Sequence, residues 1–144
     1  MMSYRFASVL LFLLLPLEAS SEETANLTVR VQGVTPGQGE VEVTLFSDEE
    51  SWMENAAHVL REPVGDEAWV DVLVPGLAPG DYAASVYYDQ DGDGELDSGM
   101  FRIPKEPVGF SNDARGKFGP AKWDAARFTL DGDLLITVNV VKIR

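Results

Sequence analysis

The sequence contains no cysteine and only one histidine, His58. Disulfides therefore cannot stabilise the domain outside the cytosol, and a thiol nucleophile is excluded. One histidine without thiolates also provides a poor ligand set for Zn²⁺. A Ser-His-Asp triad would have to use His58, and Ser111 lacks the Gly-x-Ser-x-Gly pattern around it. We therefore do not expect an enzyme. The weakest alternative is a hydrolase that uses paired carboxylates, as glycosidases do.

Basic residues are also scarce in this chain. The sequence has 11 lysines and arginines against 24 aspartates and glutamates, which gives a net charge of −13. Such a surface does not suit nucleic acid, whose phosphates need basic partners. An anionic membrane surface is disfavoured for the same reason. A divalent cation, by contrast, is a favoured partner.

Long apolar runs are absent except at the N-terminus. Phe6 to Leu15 is nearly unbroken apolar sequence after a weakly basic start, and Ala19 follows shortly after it. This pattern is typical of a secretory signal peptide over residues 1–19, and the run is too short to span a bilayer comfortably. An uncleaved anchor is the alternative. We expect a periplasmic or secreted protein with no lipid attachment and no membrane span after cleavage.

The rest of the chain alternates between strand-like segments and turns rich in glycine and proline. After a flexible leader over residues 20–25, we expect one domain over residues 26–144. Period-two alternation and β-branched residues predict strands over residues 26–31, 40–46, 68–74, 81–88, 126–130 and 134–143. We expect the first two to pair as a hairpin, and the last two to pair across Asp131-Gly132-Asp133. The pattern favours an all-β sandwich, prealbumin- or immunoglobulin-like, of about seven strands.

Two segments depart from this pattern. A capping-box pattern followed by apolar residues at helical spacing predicts one short helix or helical loop over residues 48–60, with His58 on its surface. Residues 97–121 have no clear period, yet they include Phe101, Phe110 and Phe118. This apolar content argues against plain disorder, so we expect a long irregular loop that folds over one end of the domain.

The segment that follows the strand over residues 81–88 is an acidic loop with regularly spaced carboxylates. Counted from Asp89, the first, third, fifth, seventh and ninth positions are Asp89, Asp91, Asp93, Glu95 and Asp97. Calcium loops take side-chain oxygens from the first, third and fifth positions, a backbone carbonyl from the seventh, and often a water-bridged ninth. The sixth position is glycine, which permits the sharp turn. We predict that these four aspartates and the backbone carbonyl of Glu95 bind one Ca²⁺.

This loop differs from an EF-hand in two respects. Its twelfth position is Met100 instead of glutamate, and its flanks are a strand and an irregular segment instead of two helices. A bidentate carboxylate must come from elsewhere or be absent, and Glu106 is one candidate. Mg²⁺ is less suitable because it demands a near-octahedral shell and keeps its waters. The alternative is a solvated acidic turn that binds no ion.

Several segments carry a resemblance to a known family. In order, these are residues 77–83 (LAPGDYA), the acidic loop over residues 88–97, residues 103–112 (IPKEPVGFSN) and residues 123–128 (WDAARF). Together they resemble the bacterial family of unknown function DUF2141 over essentially the whole mature chain. The resemblance implies an exported bacterial domain with no assigned activity. The strand order is also similar to the prealbumin-like sandwiches of bacterial surface proteins, some of which carry Ca²⁺ in an Asp-rich loop.

These observations lead to two expectations of function. The first is a Ca²⁺-stabilised binding or structural module of the bacterial envelope, with an unidentified protein or carbohydrate as its partner. The second is a carrier of a small sugar or apolar ligand beneath the loop over residues 97–121. A cavity lined by Phe101, Phe110 and Phe118 would favour the carrier, whereas close packing of these rings would favour the structural module.

Overall fold

The computed structural model describes residues 11–18, 21–95 and 104–143. Within these ranges the strands are β1 (Ala25–Gln32), β2 (Glu40–Phe46), β3 (His58–Pro63), β4 (Trp69–Leu77), β5 (Gly80–Asp89), β6 (Val108–Phe110), β7 (Phe128–Leu130) and β8 (Leu134–Asn139). A 3₁₀ turn, Ser111–Asp113, follows β6, and a single helical turn, α1 (Trp123–Ala126), precedes β7. The predicted all-β class is confirmed.

Some sequence predictions concern residues beyond these ranges. Most of the predicted signal peptide over residues 1–19, including Ala19, lies outside the described residues, as do Asp97, Met100 and Phe101. None of the helices in the described ranges is both long and apolar enough to cross a membrane.

The strands form two sheets around one apolar core. One sheet has the order β4-β1-β8, in which β1 is antiparallel to β4 and parallel to β8. The other has the order β3-β2-β5-β6, with β7 also paired to β5. Alternate side chains of the long strands enter the core, including Val29 of β1, Val43 of β2 and Val86 of β5. This arrangement is the expected sandwich.

Both predicted hairpins are wrong. The strands β1 and β2 lie in different sheets, and the chain between them crosses from one sheet to the other. The strands β7 and β8 are likewise separated, because β7 pairs with β5 whereas β8 pairs with β1. The turn residues were recognised correctly as turns, but a turn between two half-buried strands can also bridge two sheets. Crossing between sheets lets the apolar faces of both strands enter the same core.

The predicted helix or helical loop over residues 48–60 is present only as turns, and the prediction is wrong for residues 58–60, which belong to β3. Residues 49–54 form successive turns, and β3 begins at His58 and pairs with β2. The Asp48 carboxylate accepts the Ser51 N–H at 2.7 Å, which starts a helical turn. Met53 then adopts a φ of 63°, outside the helical region, and the turn cannot propagate. His58 is exposed on β3.

The predicted loop over residues 97–121 is partly regular. Its described part includes β6 and the 3₁₀ turn, which pack against β5 through the fully buried Ser111. The Ser111 hydroxyl donates to the carbonyl of Ala126 at 2.5 Å and accepts the N–H of Ala84 at 2.9 Å. Ser111 therefore joins β5, the 3₁₀ turn and α1.

A second, smaller apolar cluster lies beneath this segment. Trp52 is its centre, with ring centroids 5.0 Å from Phe46, 5.9 Å from Phe110 and 6.0 Å from Trp123. Its indole N–H donates to the carbonyl of Ala121 at 2.8 Å. Trp52, one of the residues that suggested a helix by their spacing, thus packs against the segment that follows β6.

Gly39 permits close approach of the β2 start to the β5 end. A Cβ atom at Gly39 would lie 2.1 Å from the carbonyl oxygen of Asp89, and its φ is +72°. We predict that Gly39→Ala lowers the free energy of unfolding by well over the roughly 1–2 kcal/mol that a left-handed conformation costs. Gly37→Ala is the matched control, because Gly37 has a φ of +74° and no atom near its Cβ position. Urea denaturation measures both variants, and equal losses would contradict the steric argument.

Candidate metal centre

The acidic loop begins where β5 leaves the core. Asp89 is the last residue of β5 and is only 1% exposed, directly after the fully buried Tyr88. The Tyr88 hydroxyl donates to the carbonyl of Gln38 at 2.7 Å, which fixes the segment between β1 and β2 against this end of β5. The first predicted ligand is therefore held by the rigid centre of the sheet.

The loop curls around the Asp89 carboxylate. One oxygen accepts the N–H of Gly92 at 2.9 Å, and the other accepts the N–H of Gly94 at 2.7 Å. Both glycines have positive φ, 73° and 77°. The prediction that a glycine at the sixth position permits the sharp turn is confirmed, because an L-residue rarely adopts this conformation. The loop thus folds back over a buried carboxylate that would otherwise lack donors.

Three carboxylates converge at this end of the sheet. One oxygen from each of Asp89, Asp91 and Glu106 lies within 4.8 Å of the others. Glu106 is only 5% exposed, and its carboxylate accepts the N–H of Gln90 at 3.0 Å. Two of the three are thus buried acids, a costly arrangement unless hydrogen bonds or a cation compensate for the lost hydration.

Pairing between β5 and β6 delivers Glu106 to this position. Glu106 precedes β6 by two residues, and the N–H of Tyr88 donates to the carbonyl of Pro107 at 2.9 Å. Glu106 was a candidate from the sequence only because the twelfth loop position is not acidic. The structure places it beside the first and third positions.

Among the described residues, the side chains of Asp93 and Glu95 do not join this group. Asp93 is exposed, and its carboxylate accepts the N–H of Glu95 at 2.8 Å. The Glu95 side chain is exposed as well. Asp97 lies outside the described residues. Among the described side chains, the group therefore combines the predicted Asp89 and Asp91 with Glu106.

The electrostatics of Asp89 reflect its surroundings. Burial raises the pKa of Asp89, but hydrogen bonds from the Gly94 N–H, the Asp91 carboxyl group and the Gly92 N–H together hold it below its usual range. Several carboxylates at this separation favour a shared proton or a bound cation, because full ionisation brings like charges together. The ligand atoms are all oxygens, which suits a hard cation such as Ca²⁺.

An ionic network on β3, β2 and β5 fixes the loop from outside. The Arg61 guanidinium contacts Glu42 at 2.5 Å and Glu40 at 3.1 Å, and it donates to the carbonyl of Gly94 at 3.2 Å. The Tyr87 hydroxyl lies 3.3 Å from the same carbonyl. Burial, followed by the Glu42 charge, raises the pKa of Tyr87 to about 12, so this hydroxyl remains a donor near neutral pH. Gly94, the sixth residue of the loop, therefore forms hydrogen bonds through both its N–H and its carbonyl.

Sequence reasoning missed this network. The sequence offered one signal for this network, the period-two spacing that places Glu40 and Glu42 on one face of β2. It could not identify Arg61 as their partner, because residues 58–60 were assigned to a helix.

The described residues do not assemble a nucleophilic triad. His58 lies exposed on β3, and the Ser111 hydroxyl is occupied by main-chain groups. His58 thus takes part in strand pairing and Ser111 in packing.

The pKa of Asp89 gives a prediction for acid stability. Because it lies below the unfolded value of about 3.9, the stabilisation from Asp89 is complete above that pH. It is lost as pH falls through the folded-state pKa. With chelator present, the free energy of unfolding of the wild type should fall more steeply below about pH 4 than that of Asp89→Asn. Asp131→Asn, which removes one exposed carboxylate elsewhere, should keep the wild-type slope. Parallel curves for wild type and Asp89→Asn, from urea denaturation, would show that Asp89 is not the cause.

Comparison with known proteins agrees with the resemblance seen in the sequence. A family model for uncharacterized proteins conserved in bacteria, DUF2141, matches residues 29–137. The matched region runs from β1 to β8 and includes the acidic loop, Glu106 and Ser111. No curated protein and no solved structure matches the chain significantly. Since the model covers most of the chain and all elements of the candidate site, the chain belongs to the DUF2141 family.

Proposed function

We propose that the protein is a small module of the bacterial envelope that Ca²⁺ stabilises at Asp89, Asp91 and Glu106. The observation that carries this proposal is the convergence of these three carboxylates, with Asp89 and Glu106 almost fully buried. The N-terminal sequence pattern supports export, and the family is bacterial. An envelope protein or carbohydrate is the proposed partner.

The spacing of the three carboxylates fits one Ca²⁺ ion bound by all of them. Ca²⁺ binds oxygen ligands at about 2.3–2.6 Å, so two ligands on opposite sides of the ion are at most about 5 Å apart. The three oxygens in the protein lie within 4.8 Å of one another. A Ca²⁺ shell needs six to eight oxygens. Backbone carbonyls of the loop and waters would complete it, as in other loops of this spacing.

A cation at this position would cross-link two parts of the domain. Gln90 and Glu106 are joined across 16 residues of chain by a hydrogen bond at the same place. Binding to the folded state alone adds about 2.7 kcal/mol at a hundredfold excess over the dissociation constant. That is a sizeable share of the roughly 5–15 kcal/mol typical of a domain. The chain has no cysteine and therefore no disulfide to close this loop.

The affinity of the three carboxylates for Ca²⁺ need not be high. Extracellular calcium modules bind with dissociation constants of about 10⁻⁴–10⁻³ M, which suffices where Ca²⁺ is abundant. A weak site of this kind keeps its ion outside the cytosol and loses it inside. Ca²⁺ would therefore stabilise the domain after export.

The carrier alternative receives support from a different part of the protein. Phe101 lies outside the described residues. Phe118 is fully exposed and Phe110 packs against Trp52, so these two rings do not line a common cavity. However, Phe110 also lines a cleft beside residues 113–119. This cleft is the observation that favours a small-ligand carrier.

Calcium binding is tested by thermal unfolding of carboxylate variants. We predict that Ca²⁺ raises the midpoint of the wild type, whereas Asp91→Asn and Glu106→Gln respond little, because each removes a charged ligand from the group. Asp131→Asn and His58→Ala should respond like the wild type, since neither residue belongs to it. Isothermal calorimetry in the same buffers measures the dissociation constant directly.

Two results would contradict the metal proposal. One is a wild-type midpoint that neither chelator nor millimolar Ca²⁺ changes, together with no calorimetric signal. The other is an equal response to Ca²⁺ in Glu106→Gln and Asp131→Asn, which would indicate nonspecific screening of an acidic surface.

A further inference from the structure

A second candidate site lies along β6. A cleft of about 260 Å³ is bounded by β6, by residues 113–119 and by the C-terminal segment after β8. The two sides are joined by mutual hydrogen bonds between Val108 and Val141, at 2.9 and 3.0 Å. Its apolar lining includes Val108, Phe110, Val141 and Ile143. The volume is near the lower end of ligand pockets, so a ligand the size of a single substituted ring would fit.

The charge at this cleft is unusual for so acidic a protein. Arg115 and Lys142 line it, and neither has an ion pair or hydrogen bond within the described part of the chain. The acidic residue in the lining is Asp113, whose two carboxylate oxygens accept the N–H and the side-chain amide of Asn139, both at 2.9 Å. The side chains of the lining thus carry one net positive charge.

The wall of the cleft is held in a fixed conformation. Asn112 and Asp113 are consecutive residues with positive φ, 59° and 49°. The Asn112 side chain donates to the carbonyls of Ala125 and Arg127, and Asp113 is bound to Asn139. These hydrogen bonds hold an uncommon backbone conformation in place, so the cleft is preformed before a ligand binds.

We propose that this cleft binds a small organic anion, namely a carboxylate with an apolar body. The carboxylate would face Arg115 and Lys142, and the apolar body would contact Phe110 and the neighbouring aliphatic side chains. A monoanion matches the single net positive charge of the lining. The apolar contact area distinguishes this class of ligand from inorganic anions. This proposal gives the small-ligand alternative a chemical class, and it does not depend on Ca²⁺, because the cleft and the three carboxylates share no residue.

The test uses three probes of similar size and different charge. Benzoate, benzyl alcohol and benzylamine are titrated into the purified ¹⁵N-labelled protein, and the amide shifts of Gly109, Gly116 and Gly119 report on the cleft. We expect saturable shifts with benzoate, an affinity about tenfold lower for benzyl alcohol, and weaker binding still for benzylamine. Titrations with chelator and with Ca²⁺ should give the same order, so a failure of the metal proposal would leave this result unaffected.

Variants test separately how the basic side chains and the shape of the cleft contribute to binding. Arg115→Gln and Lys142→Gln should each reduce the preference for benzoate over benzyl alcohol. Lys105→Gln makes the same charge change outside the cleft and should leave the preference for benzoate unchanged. Gly119→Leu adds an apolar side chain to the lining and should change the affinity for both probes. Its unfolding midpoint should stay near the wild type, because no atom lies within 4 Å of the Gly119 Cβ position.

Three results would overturn the proposal. They are no saturable shift with benzoate, shifts that lie outside the cleft, and an equal response of Arg115→Gln and Lys105→Gln. The last would mean that benzoate senses only the overall charge of the protein.

Discussion

The central strand β5 is the element on which the rest of the structure depends. It pairs with β2 along one side and with β6 and β7 elsewhere along its length, and its inward residues form much of the core. Its last two residues, Tyr88 and Asp89, are both buried, so the strand carries a carboxylate from the core directly into the acidic loop. A buried carboxylate requires donors, and the N–H groups of Gly92 and Gly94 supply them. The conformation of the loop therefore follows from the hydrogen-bonding needs of one side chain.

The sequence predicted the elements better than their partners. Period-two alternation located β2, β4 and β5 because their inward faces are apolar and their outward faces polar. The same local signal contains no information on which strand lies alongside, so both hairpins were assigned wrongly. For β3, Val59 and Leu60 fitted a helical spacing as well as a strand, and the positive φ of Met53 was not visible in the sequence.

The candidate metal centre shows the same limit. Asp89 and Asp91 could be identified from spacing alone, because their relation to each other lies within one short loop. Glu106 could be named only as one possibility, because its position depends on the pairing of β6 with β5. The support from Arg61 was not foreseeable, since it requires the pairing of β3 with β2. Local chemistry was thus accessible from the sequence, whereas the residues supplied by strand pairing were not.

The two proposed sites have opposite charge, and both depend on β6. Glu106 precedes this strand, and the cleft begins at Val108 and continues past Phe110. Pairing of β6 with β5 holds Glu106 beside Asp89, whereas the hydrogen bonds between Val108 and Val141 bring the C-terminal segment, with Lys142, to the cleft. Strand pairing thus supplies residues to both places from distant parts of the sequence. In our two proposals, a cation would balance the three carboxylates and an organic anion would balance Arg115 and Lys142.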